Sequence, residues 1–147
     1  MSDILRHAAR PGLMRRLAAL FYDAWLILGL WLLGATLDWA IRSALGGSAG
    51  QGPHWPLQLW LLAAPVIFYV WFWTHGGQTL GMRAWRLRLV AADGGPVGLR
   101  RALLRCAAAL LSWGALGLGY LWVLIDRDRA AWHDRLSGTF LVLTERR

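Results

Sequence analysis

The sequence predicts an all-α membrane protein. It has two transmembrane helices, a third broken or re-entrant helical element long enough to span, and a small cytosolic β-hairpin or strand cap. Three observations carry this reading. Apolar residues make up 57% of the 147 positions, and mean hydropathy is +0.40, high for a soluble domain of this length. Two apolar runs each reach the roughly 20 residues that cross a hydrocarbon core about 30 Å thick. The net charge of +8 comes entirely from arginine, and the arginines flank the apolar runs. Basic residues so placed hold their loops on the cytosolic side.

The length fits one domain, residues 1–147. Residues 1–13 form a basic cytosolic arm with Arg6 and Arg10. Asp3 favours a short helix there through the helix dipole, and Pro11-Gly12 interrupts it. Span 1 covers residues 14–39. Asp23 lies within its otherwise uncharged run from Leu17 to Leu37, just past Arg15 and Arg16. A charge at that depth costs about 2.5–3.5 kcal/mol on insertion scales, so the carboxylate is a candidate functional group by default. The run is longer than a signal-peptide core and leads into Asp38-Trp39 without a small-residue cleavage pattern, which predicts a retained span.

Residues 40–55 form an external loop, glycine-rich from Gly46 to Pro53 and bracketed by Trp39 and Trp55 in the manner of interfacial tryptophans. Span 2 covers residues 56–75, and Pro65 is expected to bend it by removing a helix hydrogen bond. Residues 76–100 read as a cytosolic hairpin. Gly76-Gly77 stops the span, Arg86-Leu87-Arg88-Leu89-Val90 alternates as a half-buried strand does, Asp93-Gly94-Gly95 signals a turn, and Val97 opens a return strand.

The third element, residues 101–125, has a weak centre for a straight helix, with Ser112-Trp113-Gly114 followed by Gly117 and Gly119. Residues 126–147 form a cytosolic tail ending in strand-like Phe140 to Leu143. If both ends of the third element face the cytosol, 15 of the 16 arginines do too, and only Arg42 lies outside. If the element crosses, five more move out. The positive-inside bias favours the first arrangement. That arrangement also lets strand 86–90 pair with strand 140–143.

Arg16 with Asp23, Gly77-Gln78-Thr79-Leu80-Gly81 after span 2, and Trp132-His133-Asp134-Arg135-Leu136-Ser137-Gly138-Thr139 near the end together resemble the RDD family of small, mainly bacterial membrane proteins. The resemblance covers about residues 13–144. It implies that the family arginine is Arg16, its first aspartate Asp23 and its second Asp134, with Asp126 and Asp128 as neighbouring alternatives. It also implies an inner-membrane location and a suggested role in transport, including sodium/proton exchange. Met82 departs from the basic residue that relatives tend to carry after the glycine.

Read from the residues, the candidate functional cluster is Arg16, Asp23, Asp134, Arg101, Arg105, Gln78, Thr79 and His133. Arg16 and Asp23 share a helix face but lie about 10 Å apart along the axis, too far for a direct salt bridge. Either Asp23 is a protonatable or cation-binding group with Arg16 as gate or lipid-phosphate anchor, or Asp23 is polar glue between helices and Arg16 snorkels. Arg101 and Arg105 lie four apart and are natural counter-charges for Asp23 or Asp134, or else contacts for anionic lipid head groups. Asp134 alternatively caps the turn before Ser137-Gly138-Thr139.

Gln78 and Thr79 are placed to line a site at the cytosolic mouth. The small-residue pairs Ala108/Ser112 and Ala115/Gly119 permit close approach of helices in an oligomer. His133-Asp134 lacks an activated nucleophile, and His7, His54, His75 and His133 show no metal-ligand spacing, so no enzyme, metal or cofactor is expected. The single Cys106 forms no internal disulfide, and arginines flanking apolar runs do not make a nucleic-acid surface. The expected function is cation- or proton-coupled transport through a homo-oligomer or with a membrane partner. The competing class is a non-transporting accessory, scaffold or regulatory subunit.

Overall fold

The computed structural model describes residues 9–46 and 54–144. The arm around Asp3 and most of the glycine-rich loop lie outside those residues. Helix α1 runs over Leu13–Ala44 and α2 over Trp55–Thr74, and both are long and apolar enough to cross a membrane. The first begins directly after Pro11-Gly12 and continues five residues past the expected end of span 1. No breaker precedes Gly46, and the Arg42 Nε donates to both Asp38 carboxylate oxygens at 3.1 and 3.2 Å, an i,i+4 pair that supports the extra turn. The second runs unbroken through Pro65.

The buried stripe of α1 is Arg16, Ala19, Asp23 and Ile27, one residue per turn along a single face, while Phe21, Trp25, Leu32 and Leu33 point outward. The two long helices are tied reciprocally. The Trp31 indole donates to the Leu61 carbonyl at 3.0 Å, and the Trp60 indole donates to the Leu30 carbonyl at 2.9 Å. Gly34 is where the Trp60 ring lies against the α1 backbone, leaving no room for a Cβ.

Gly76 and Gly77 end α2 with φ of 115° and 73°, which glycine adopts without strain. Helix α3, Leu80–Ala84, follows at once. Strand β1, Leu87–Ala91, pairs antiparallel with β2, Thr139–Leu143, in the register Leu87 to Leu143 through Ala91 to Thr139. Pairing of the 86–90 strand with the tail strand is thus present, but the expected return strand at Val97 is not. Val97 is instead a buried plug in the loop that leads to α4. It joins Ala19, Trp73, Met82, Leu87, Leu89, Ala102 and Leu141 in one core where α1 begins, α2 ends and the cap sits on both. Met82 is one of those core side chains.

The third element is broken. Helix α4, Leu99–Gly114, and helix α5, Leu118–Leu121, with the 3-10 turn Trp122–Leu124, meet at a bend of 106°. Leu116 (φ 54°) and Gly117 (φ 80°) make the corner. Gly119 packs directly on Ser112, and Ala108 and Ser112 are buried within the chain. Most of the small residues expected at an oligomer contact are therefore used internally. Helix α6, Trp132–Ser137, closes with Gly138 at φ 61° and hands the chain to β2. Since β1 precedes the broken element and β2 follows it, their pairing returns both of its ends to one end of the molecule.

Candidate functional site

Asp134 lies in the first turn of α6 and is fully buried. Arg16 reaches it from the first turn of α1, with Nη1 donating to Oδ2 at 2.6 Å. Arg105 reaches it from the middle of α4, with Nη1 at 2.7 Å from Oδ1. This second contact is ionic rather than a well-aligned hydrogen bond, because the same nitrogen donates to Thr139 Oγ1 at 2.7 Å. The Ala131 amide also donates to Asp134 Oδ2, at 2.9 Å. Burial alone would push the Asp134 carboxyl up, but Arg105 and then Arg16 outweigh it and hold the group well below the usual carboxylate range. One carboxylate thus joins the start of α1, the middle of α4 and the start of α6.

The two arginines are held from the other side as well. Arg16 donates through Nη2 to the Arg129 carbonyl at 2.7 Å and through Nε to the Pro11 carbonyl at 3.4 Å. Arg105 lies over the Trp73 ring, 5.2 Å from its centroid, in a cation–π contact. Thr139 shares a 2.7 Å hydrogen bond with Ser137, so the arginine is linked to the end of α6 through two hydroxyls. His133 packs on Tyr120, with ring centroids 4.6 Å apart, and its Nε2 lies 3.7 Å from Asp134 Oδ1. Burial, and then Arg105, push the His133 pKa down to about 3, so the ring is neutral.

Asp23 forms a second, separate junction. The Thr79 hydroxyl donates to its Oδ2 at 2.6 Å, and the Gly81 amide donates to its Oδ1 at 2.9 Å. Thr79 Oγ1 in turn accepts from the Met82 amide at 3.1 Å, which caps α3. The carboxylate therefore satisfies an amide at the start of α3 that has no partner inside that short helix. Gly81 sits so close to the Ala19 carbonyl and to Asp23 that any side chain would collide with both. A cavity of about 70 Å³ lies between the two junctions, lined by Arg16, Asp23, Trp73, Arg105, Tyr120 and His133 among others.

Several expectations change against this geometry. Arg16 is buried and bound to Asp134, so it neither snorkels nor anchors lipid phosphate. Arg105 is a counter-charge of Asp134, one of the two acids open to it, and is not a lipid contact. Arg101 is not: it pairs at the surface with Asp93, Nη1 to Oδ2 at 3.2 Å. The reason is helical phase, since the inward stripe of α4 is Ala102, Arg105, Ala108 and Ser112. Gln78 does not line the cavity; its Nε2 donates to the Leu87 carbonyl at 2.7 Å and pins the start of β1. Thr79 and His133 do belong to the two junctions. Sequence reasoning missed Thr139, Tyr120 and Trp73. Of these, only Thr139 carried a local signal, two residues beyond Ser137 at the start of a strand.

A model of the RDD family matches residues 10–138. The chain belongs to the RDD family. No match to it was found among curated proteins or among solved structures. The matched stretch contains Arg16, Asp23 and Asp134, and with its two long apolar helices this RDD protein is a membrane protein. Of the three tail acids open to the role of second family aspartate, only Asp134 meets Arg16. Asp126 and Asp128 both face Arg135 at the surface. Arg16 and Asp134 are thus partners in one ion pair, while Asp23 serves a different joint.

Proposed function

We propose that this RDD protein is a non-transporting accessory subunit that scaffolds or regulates a larger membrane complex. In this reading it sits in a bacterial inner membrane, with the N-terminus and the cap in the cytosol. One observation carries it. The carboxylate oxygens of Asp23 and Asp134 already face donors or arginines of the chain itself, so the charged cluster serves to fasten the cap to the spans. The long outward faces of α1 and α2 then meet lipid, a second copy or a partner's helices. Arginine placement supports the orientation, and surface arginines such as Arg83 and Arg100 suit anionic lipid head groups.

Cation- or proton-coupled transport through an oligomer is the second reading. It is favoured by the cavity that brings Asp23, His133 and Arg105 to one space. Two long helices do not enclose a polar pathway by themselves, so it requires several copies. Ion flux in proteoliposomes separates the readings. The accessory role predicts background flux both for the wild type and for Asp23→Asn. Wild-type flux above empty vesicles that Asp23→Asn abolishes would overturn it in favour of transport.

A further inference from the structure

The broken third element presents an unbroken apolar exterior. Leu103, Leu104, Leu110, Leu111 and Trp113 point outward from α4, opposite its buried stripe. The corner residue Leu116 is 93% exposed, and on the return limb Leu124 and Ile125 are 69% and 77% exposed. A soluble surface does not carry such a continuous patch without a partner. Charge frames it at both ends, with Arg100 and Arg101 where α4 starts and Asp126 to Arg129 where the return limb stops.

Its length fixes how deep it can go. The pairing of β1 with β2 brings both ends of the element back to the cap. The return limb is only four α-helical and three 3-10 residues, Leu118–Leu124. At 1.5 Å per α-residue and about 2 Å per 3-10 residue it rises about 12 Å. Half of a hydrocarbon core is about 15 Å. The outgoing limb, α4, has 16 residues and is about 24 Å long at the same rise. To meet its short partner at the corner it lies oblique to the bilayer normal, which the 106° bend accommodates.

From this geometry we infer that α4 and α5 form a wedge inserted into a single leaflet, the one on the cap side. Leu116 sits near the bilayer midplane, and acyl chains of that leaflet cover the exposed face. The occupant is lipid rather than a partner helix for two reasons. Helix α4 packs on α2, whose exposed residues Leu59, Leu62, Ile67 and Trp71 are apolar, and the charged edges of the wedge fall where the return limb's length places the head groups. The wedge adds volume to one leaflet only, so this RDD protein occupies the two halves of the bilayer unequally. The inference holds under either reading of function.

The test is a spin label at Leu116→Cys, with Cys106→Ala removing the native thiol. The protein is reconstituted in vesicles of phosphatidylethanolamine and phosphatidylglycerol. The label is expected to collide with dissolved oxygen, to be shielded from a water-soluble nickel complex, and to lie deeper than a label at Ile125→Cys. In the same vesicles a membrane-impermeant maleimide should fail to modify Leu116→Cys from either face. Modification from the cap face would mean the element lies in water, and modification from the opposite face would mean it crosses; each overturns the wedge. Leu118→Cys, also at an exposed position, gives the same readout where Leu116→Cys does not fold.

Discussion

Arg16 and Asp134 lie 118 residues apart in the chain and meet at 2.6 Å, both side chains almost fully withdrawn from solvent. A buried ion pair is weak evidence of net stabilisation, but removing one member strands the other. In this protein the stranding is doubled, because Arg105 depends on the same carboxylate.

Asp134→Ala is therefore expected to be the most damaging single change in the cluster. Losing one member of a buried pair costs about 3–5 kcal/mol. The expected outcome is a large drop in thermal midpoint in detergent, with Arg16→Ala close behind. A midpoint within a degree or two of the wild type would contradict the geometry described.

His133 makes stability pH-dependent. Its pKa is near 3 in the folded chain, pushed down by burial and by Arg105, against an ordinary value of 6.5. A lowered histidine pKa means that the unfolded chain binds the proton first. Stability is then complete above pH 6.5 and falls as pH drops from 6.5 toward 3, by at most about 1.4 kcal/mol per pH unit. The Asp134 carboxyl, held low by its arginines, contributes its own loss only at lower pH. His133→Phe should flatten the midpoint between pH 6.5 and 4.5; an unchanged slope would refute the assignment.

Asp23→Asn tests the second junction. Thr79 and Gly81 donate to different oxygens of the carboxylate, so an amide whose oxygen accepts from Gly81 turns its NH2 toward Thr79, which can no longer donate to it. Losing one such bond costs about 1–3 kcal/mol when the donor is left buried. Thr79→Val should produce a loss of similar size, and the double variant should lose less than the sum, since both act on one contact.

Gly81→Ala tests how closely α3 sits on α1. The added methyl would overlap the Ala19 carbonyl and approach Asp23 Oδ1 to 2.8 Å. Backbone cannot yield as a flexible side chain does, so the change should cost at least the 1–3 kcal/mol typical of overpacking. Gly29→Ala, inside α1 with open space at its position, is the matched control and should not lower the midpoint.

Arg101→Ala, at a solvent-facing pair with Asp93, should leave the thermal midpoint unchanged. A shift as large as that of an equivalent Arg105 variant would mean that the inward stripe of α4 has been misassigned.

Hydropathy and arginine placement made the two spans, the broken third element and the cross-pairing of strands 86–90 and 140–143 readable, because those signals are local or depend only on which side a segment lies. Arg16, Asp23, Asp134 and Arg105 were readable as candidates because charge amid apolar residues has few benign explanations. Their pairing was not. Arg16 was weighed against Asp23, seven residues away, whereas its partner lies at the far end of the chain, brought there only by the folded cap. Arg101 and Arg105 looked equivalent by spacing until helical phase set one inward and the other outward. Val97 looked like a strand because a β-branched residue after a turn reads the same whether it extends a sheet or plugs a core.

The fastening of α1 to α6 has a bearing on biosynthesis. When the opening helix leaves the ribosome, neither of its two buried charged groups has met the segment that will satisfy it: Asp23 waits for Thr79 and Gly81, and Arg16 waits for translation to reach Asp134. Until then the nascent chain carries unpaired polar groups that the insertion machinery or a chaperone must shelter. Loss of a short stretch near the C-terminal end would leave that shelter permanently required, marking truncated copies for proteolysis although their hydrophobic helices are intact.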